Sequence, residues 1–334
     1  MTKYPLVPRE GVYEKYWHFV GERQRIFDKR VRGEAPPWTD DPIFTHYKFC
    51  NVFRSADRES QYMIRDICYG GAQAKDLAFE IVAFRTFSRG DVWDKIKTML
   101  GHAPNLNDLD DGSFENALTT LKESGQKLYT GSFILCANEA YGRKGKHLNH
   151  VEMFRAMFLD GDLYERVIEA DTFGEVYEKL HSYPLMGDFM SYQTAIDLNY
   201  SELIDFSEND FTKAGPGALR GIDKVFADSN GWTPEEVIMW MVDHQEEELD
   251  RLGIEFGGLF GRPLHAIDAQ NVFCETDKYC RQAVPELASN RTRIKTKFAA
   301  KTQPIRYFFP PKWGLTIDQP EVSAPSAEEA LTLF

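Results

Sequence analysis

Apolar positions recur along this chain mostly at spacings of three and four residues, the period of a helix with one buried face. The pattern predicts a helix over residues 13–32, with Tyr16, Phe19 and Phe27 inside and a charged outer face. Pro36-Pro37 and Asp41-Pro42 end that pattern. Further helices are expected over residues 51–68, 74–87, 114–122, 151–158, 172–181 and 185–197. Residues 208–226 read as helix, tight turn, helix. Thr233-Pro234-Glu235-Glu236 is a helix start, with a capping hydroxyl, Pro at the first position and acids near the positive end of the dipole. That helix is expected to end near Gly253, and another should cover residues 263–281. Residues 100–112 are rich in Gly, Asn and Asp and read as a loop; residues 128–137 fit either a helix or a buried strand. Few segments alternate and no internal repeat is visible. The expected fold is mainly α, one two-lobed helical domain over residues 1–314. Residues 315–334, acidic and rich in Ala, Ser and Pro, are expected to be a disordered tail.

Composition narrows the functional classes. With 43% hydrophobic and 13% aromatic residues among 334, the chain can build a real core. A net charge of −13 argues against a general nucleic-acid coat protein but not against a DNA enzyme with a local basic face. The five cysteines are odd in number and form no C-x-x-C or paired Cys/His spacing, so neither a disulfide framework nor a metal site is expected. No stretch approaches the roughly 18 apolar residues needed to span a bilayer, and residues 1–17 lack a basic-then-apolar signal pattern. No membrane partner and a cytoplasmic setting are therefore expected. G-x-x-x-x-G-K-[ST], H-E-x-x-H and G-x-S-x-G are absent, and no G-x-G-x-x-G follows a strand. No cofactor is expected.

Several groupings could carry chemistry. If residues 51–68 are helical, Asn51, Arg54, Arg58 and Gln61 share one narrow stripe with Asp57 beside it, backed by Phe49, Val52, Phe53, Ala56, Met63 and Ile67. Two arginines there could grip a phosphate; a solvated face would look the same. Asp268, Asn271, Glu275 and Lys278 form a second helical stripe that could supply a base, an orienting amide and a cation, or merely a surface ion pair behind an N-terminal acid. In the stretch 213–220, Gly215 and Gly217 permit a tight turn into a helix whose N–H groups could hold a DNA phosphate, with Lys213, Arg220 and Lys224 adding charge. Arg281, Arg291, Arg293, Lys295, Lys297, Lys301 and Arg306 form a local basic excess that reads as a DNA-backbone track or a solvated basic face. Tyr192 could stack on a base and Gln193 could read its edge, though such residues are more often core and caps.

Two of these groupings carry a resemblance. Ala214-Gly215-Pro216-Gly217-Ala218 resembles the L-P-G-V-G hairpin of helix-hairpin-helix DNA glycosylases, and residues 266–271 resemble their V-D-T-H-V segment, which places Asp268 at the catalytic aspartate. Leu219 stands where bifunctional members hold a Schiff-base lysine, and the gap from hairpin to aspartate is longer here. A closer likeness covers residues 13–306. It runs through Pro37-Trp38-Thr39-Asp40-Asp41, residues 47–54, Asp57-Arg58, Pro184-Leu185-Met186-Gly187, residues 214–217 and residues 268–275. These stretches resemble the bacteriophage amino acid:DNA transferases, also called alpha-glutamyl/putrescinyl-thymine pyrophosphorylases, and the helical domain attached to some hydroxymethyluracil DNA kinases.

That resemblance implies action on double-stranded DNA in the cytoplasm of an infected host. A small amino acid such as glycine, or an amine, would replace the phosphate on phosphorylated 5-hydroxymethyluracil, with the nucleotide flipped out of the stack. In such a reaction Arg54 and Arg58 would steady the leaving phosphate. Asp268 or Glu275 would deprotonate the amine, and Lys278 would meet an amino acid's carboxylate. The two polar stripes should face each other across a cleft. Arg54→Ala and Asp268→Asn are both expected to abolish turnover in a folded protein. A monofunctional glycosylase and a non-catalytic DNA-binding module remain the rival readings.

Overall fold

Tyr16, Trp17, Phe19 and Val20 lie on one face of a 19-residue helix and are fully buried, which is why the first predicted helix forms where expected, α1, Tyr13–Val31. The computed structural model describes residues 4–317 apart from 73, 133, 134, 136, 137, 288–290, 295 and 300–305. Among the described residues the chain continues through α2 (Pro42–His46), α3 (Arg58–Tyr62), α4 (Ala74–Phe87), α5 (Gly90–Leu100), α6 (Leu106–Asp110), α7 (Ser113–Glu123) and α8 (Lys146–Phe158). It then forms α9 (Leu163–Ile168), α10 (Phe173–His181), α11 (Asp188–Tyr200), α12 (Pro216–Val225), α13 (Pro234–Asp243), α14 (Gln245–Arg251) and α15 (Ala266–Ala283). The strands described are β1 (Val7–Pro8) and β2 (Phe226–Asp228), paired antiparallel with Val7 opposite Asp228. The mainly α expectation holds. No helix is long and apolar enough to cross a membrane among the described residues.

The buried apolar side chains fall into two clusters. One is built from residues 63–204, chiefly α4, α5, α7, α8, α10 and α11. The other joins residues 13–56 to residues 214–309, chiefly α1, α12, α13 and α15. Helix α15 straddles them: Ile267 packs into the first, while Ala266, Ala269, Val272 and Phe273 pack into the second. Trp313 lies against both. The last described residues are also packed: Leu315 and Ile317 lie half-buried on the second cluster. The rest of the proposed tail, 318–334, lies outside the described residues, as does part of the ambiguous stretch 128–137.

Four sequence expectations fail in whole or in part. Residues 51–68 are not one helix but an irregular start, a 3-10 turn at Arg54–Ala56, α3, and a π turn at Met63–Cys68. Asn51 and Asp57 explain the break: Asp57 accepts the Asn51 N–H (2.8 Å) and the Asn51 amide donates to the Ala56 carbonyl (2.7 Å). Such short polar side chains bond nearby backbone and displace helical bonds. The apolar half of the prediction survives, since Phe49, Val52, Phe53, Ala56, Met63 and Ile67 are all buried. Residues 100–112 contain α6, started by a capping box between Asn105 and Asp108. Residues 208–215 carry no helix, so the expected hairpin at 208–226 is a single helix, α12, reached through irregular chain after Tyr200. The Thr233 start does form its capping box with Glu236, but the segment that follows divides into α13 and α14 at His244.

The glycines before and in α12 serve close packing. A Cβ on Gly217 would stand 2.2 Å from the Cys274 sulfur, and one on Gly221 would stand 2.1 Å from the Phe273 carbonyl oxygen. At Gly215 a Cβ would meet Phe189 at 3.1 Å. Gly221 cannot be relieved by a rotamer change, because the obstacle is the backbone of α15. We expect Gly221→Ala to lower stability by about 2 kcal/mol or more despite alanine's better helix propensity. A urea unfolding midpoint equal to that of the native chain would remove this reading.

Candidate functional site

Helix α15 presents the ridge Asp268, Asn271, Glu275 and Lys278, and residues 50–54 run along it. Cys50 N donates to Glu275 Oε2 (2.8 Å), Asn271 Nδ2 donates to the Asn51 carbonyl (2.8 Å), and Arg54 N donates to Asp268 Oδ1 (3.0 Å). The two predicted stripes therefore do meet. What α15 reaches, however, is the backbone of a segment that left helical register and needs partners for its N–H and C=O groups. Asn271 and Glu275 each hold a backbone group of this segment in this way. Lys278 is also engaged, with Glu275 (3.0 Å) and over the Phe49 ring (4.6 Å). Asn51 takes the Arg23 guanidinium as well, Asp57 holds Asn51, and Gln61 bridges Ser55 to Phe308. All three bind neighbouring chain rather than face a cleft.

Arg54 is the largest correction. Its guanidinium is buried and shared among Gln193 Oε1 (2.7 Å), the Tyr200 hydroxyl (3.1 Å) and Asp197 Oδ1 (2.9 Å). Asp197 is fully buried and also holds Arg85. Burial works against the charge on Arg54, but Asp197 and Tyr200 together more than offset it and the net shift is upward. Arg54 is thus held in the interior by Gln193, Tyr200 and Asp197. Gln193 is spent on Arg54, and Tyr192 is 1% exposed within the first cluster, so neither is placed to read or stack on a base. Arg58 is exposed and pairs with Glu59 (2.8 Å).

The expected DNA contacts divide. Lys224 is buried and, with Arg220 and Arg281, holds the fully buried Asp277, so Lys224 and Arg220 serve packing of α12 on α15. Gly215 and Gly217 do the same. Lys213 is half-exposed, 3.7 Å from Glu235. Arg291, Arg293 and Lys297 are exposed, with Lys297 bridged through its backbone to Tyr47. Lys295 and Lys301 lie outside the described residues.

What remains chemically open is the start of α15. Asp268 occupies the third position of that helix; its Oδ2 accepts the His265 N–H (3.2 Å) and its Oδ1 the Arg54 N–H (3.0 Å). Nearby, Glu208 Oε2 receives Arg262 Nη2 (2.6 Å), whose guanidinium stacks on Trp313 at 3.9 Å. One donor atom each from Glu208, His265 and Asp268 lies within 4.8 Å of the other two, so these three residues could together hold a cation. Burial first, then the charge of Glu208, raises the Asp268 carboxyl to about 7, while burial and Arg262 lower His265 toward the neutral imidazole. Sequence reasoning missed Glu208, His265 and Arg262. His265 sits in the first turn of the helix predicted over residues 263–281, but nothing local marks Glu208, which only tertiary folding brings here.

The Asp268 shift has a thermodynamic consequence. Because the folded state binds this proton more tightly, its contribution is complete below the ordinary value of 3.8 and is lost as pH rises toward about 7. We expect metal-free protein to lose on the order of 3 kcal/mol through this group across that window. The difference between native and Asp268→Asn stabilities, measured by urea unfolding from pH 4 to pH 8, should display it. A pH-independent difference would mean that the carboxyl is ionised throughout.

Comparison with known proteins gives the family of the chain. The family described as "5-hmdU DNA kinase, helical domain" matches residues 10–289. A curated relative, the 5-hmdU DNA kinase of Bacillus phage SP10, is 26% identical over 324 residues, covering 90% of this chain and 50% of the relative. The chain thus spans about half the length of that relative. No solved structure matches it. A match over residues 10–289 takes in the first apolar cluster, most of the second and the start of α15, and on that extent the chain belongs to the family of the 5-hmdU DNA kinase helical domain.

Proposed function

We propose that this chain modifies 5-hydroxymethyluracil-derived nucleotides in double-stranded phage DNA. It transfers a small amino acid or amine to the 5-methylene once that carbon carries a phosphate. A C–N bond forms, the C–O bond to phosphate breaks with its electron pair leaving on phosphate, and the amine gives up a proton. The observation that carries this reading is the position of Asp268: a buried carboxylate at the N-terminal turn of α15, where the two apolar clusters meet, in a chain of the 5-hmdU kinase helical-domain family. Such a carboxylate can take the proton from the incoming amine. The reacting methylene lies in the major groove beside the stacked bases, so reaching it from both sides favours an extruded nucleotide. Arg291, Arg293 and Lys297, exposed on the chain after α15, are proposed contacts to the DNA backbone. A kinase role for this chain by itself is disfavoured by the absence of a G-x-x-x-x-G-K-[ST] stretch.

The experiment is nucleoside mass spectrometry after incubating a phosphomethyluracil duplex with the protein and a mixture of amino acids and amines. An amine-dependent mass gain with phosphate release supports transfer. Release of a free base instead supports the second reading, a monofunctional glycosylase. A buried aspartate at a helix start suits that chemistry equally, and the resemblance places Leu219 where a lyase would need lysine.

A further inference from the structure

The geometry points to a divalent-cation site formed by Glu208, His265 and Asp268. One donor atom from each lies within 4.8 Å of the others. A cation with bonds of roughly 2.0–2.2 Å would draw its neighbouring ligand atoms to about 3.0–3.6 Å of one another, so the three side chains would close on the ion. Two observations beyond the clustering indicate a ligand. Glu208 is 4% exposed, and while its Oε2 is held by Arg262, its Oε1 is buried with no hydrogen-bond partner. A buried carboxylate oxygen without a donor is costly, and a cation removes that cost. His265 Nδ1 lies 3.1 Å from the Pro263 carbonyl oxygen. A carbonyl can only accept, so this contact favours the tautomer with the proton on Nδ1 and the lone pair on Nε2, as in metal-bound imidazoles whose other nitrogen is fixed by a carbonyl.

Asp268 completes the set. Each of its oxygens accepts one backbone N–H, from Arg54 and His265, and each retains a lone pair. Two carboxylates and one imidazole with no thiolate suit Mn2+, Zn2+ or Mg2+ rather than a soft ion. Three protein ligands leave positions open for water or a phosphate oxygen, the pattern of a catalytic rather than a structural site. Arg262 neutralises one of the two carboxylates, which leaves a deficit that a divalent ion more than meets. The inference does not require the transfer reaction, since it concerns binding of the ion alone. Within that reaction, the cation would supply at the leaving phosphate the positive charge that Arg54, bound to Asp197, does not.

The test uses the full chain after treatment with a chelator. Free Mn2+ is followed by electron paramagnetic resonance during titration, and melting is recorded with Mn2+, Zn2+ and Mg2+. We expect one Mn2+ per chain and a melting temperature higher by roughly 5 °C at a hundredfold excess over the dissociation constant. Glu208→Gln and His265→Gln, each first checked for native circular dichroism, should weaken Mn2+ binding at least about tenfold. The unaltered chain supplies the decisive measurement if either variant fails to fold. No Mn2+ uptake at millimolar concentration, or uptake unchanged in both variants, overturns the site. Mn2+ binding without any amine transfer counts against the reaction and leaves the site standing.

Discussion

Asp268→Asn is expected to lower amine transfer to a phosphomethyluracil duplex by about 10^2 to 10^4-fold, the range spanned by loss of a positioned proton acceptor. The substitution keeps shape and polarity but cannot accept a proton at neutral pH. It also spares most of the local structure, because the amide oxygen can still accept one of the two backbone N–H groups, from Arg54 or His265, that the carboxylate holds. The bond that is lost is worth about 1–2 kcal/mol, which a domain with two well-filled clusters tolerates. Duplex binding should persist, since the exposed basic residues lie elsewhere. Glu275→Gln is the internal control: its carboxylate holds Cys50 N and Lys278, so its loss should act on stability more than on turnover. Native-level transfer by a folded Asp268→Asn protein, judged by mass spectrometry under saturating amine, would end the assignment of this carboxylate.

Asp197→Ala should cost about 3–5 kcal/mol of stability, the largest single loss we anticipate. The carboxylate is fully buried and stands between two arginines, Arg54 and Arg85, whose side chains are each 7% exposed. Removing it strands two guanidiniums in a medium that cannot solvate them. The same reasoning revises the expectation for Arg54→Ala: the Arg54 side chain contributes to the interior that joins residues 50–57 to α11, so its loss should appear in the urea midpoint as well as in any activity. Replacing all three charged groups with apolar residues of similar size should recover much of the loss, as buried ion networks often permit. Should Asp197→Ala unfold at the same urea concentration as the native chain, the network would have no energetic weight.

The apolar pattern was the most legible feature. Tyr16, Phe19 and Phe27 of α1, and the back face Phe49 to Ile67, are buried as the spacing implied, even where the backbone is not helical. Burial follows from side-chain chemistry, which each residue carries with it. Backbone register at 51–57 did not follow, because it turned on a local competition between helical bonds and the side chains of Asn51 and Asp57. The ridge Asp268, Asn271 and Glu275 was legible as a ridge, since it depends only on helical period. Its function was not, because a polar side chain serves whichever partner the fold brings to it.

Taken alone, the order of residues determined the helical class and the two-arginine and carboxylate groupings as chemical inventory, while the family resemblance put Asp268 forward as a candidate. Folding decided which of those groups are spent and which are open. Arg54, Lys224 and Arg220 became internal counter-charges because buried carboxylates at Asp197 and Asp277 required them, and Gln193 became an acceptor for the Arg54 guanidinium. Glu208 and His265 joined Asp268 for the opposite reason: irregular chain between α11 and α12 carries Glu208 to the start of α15, and no periodicity encodes a meeting of that kind.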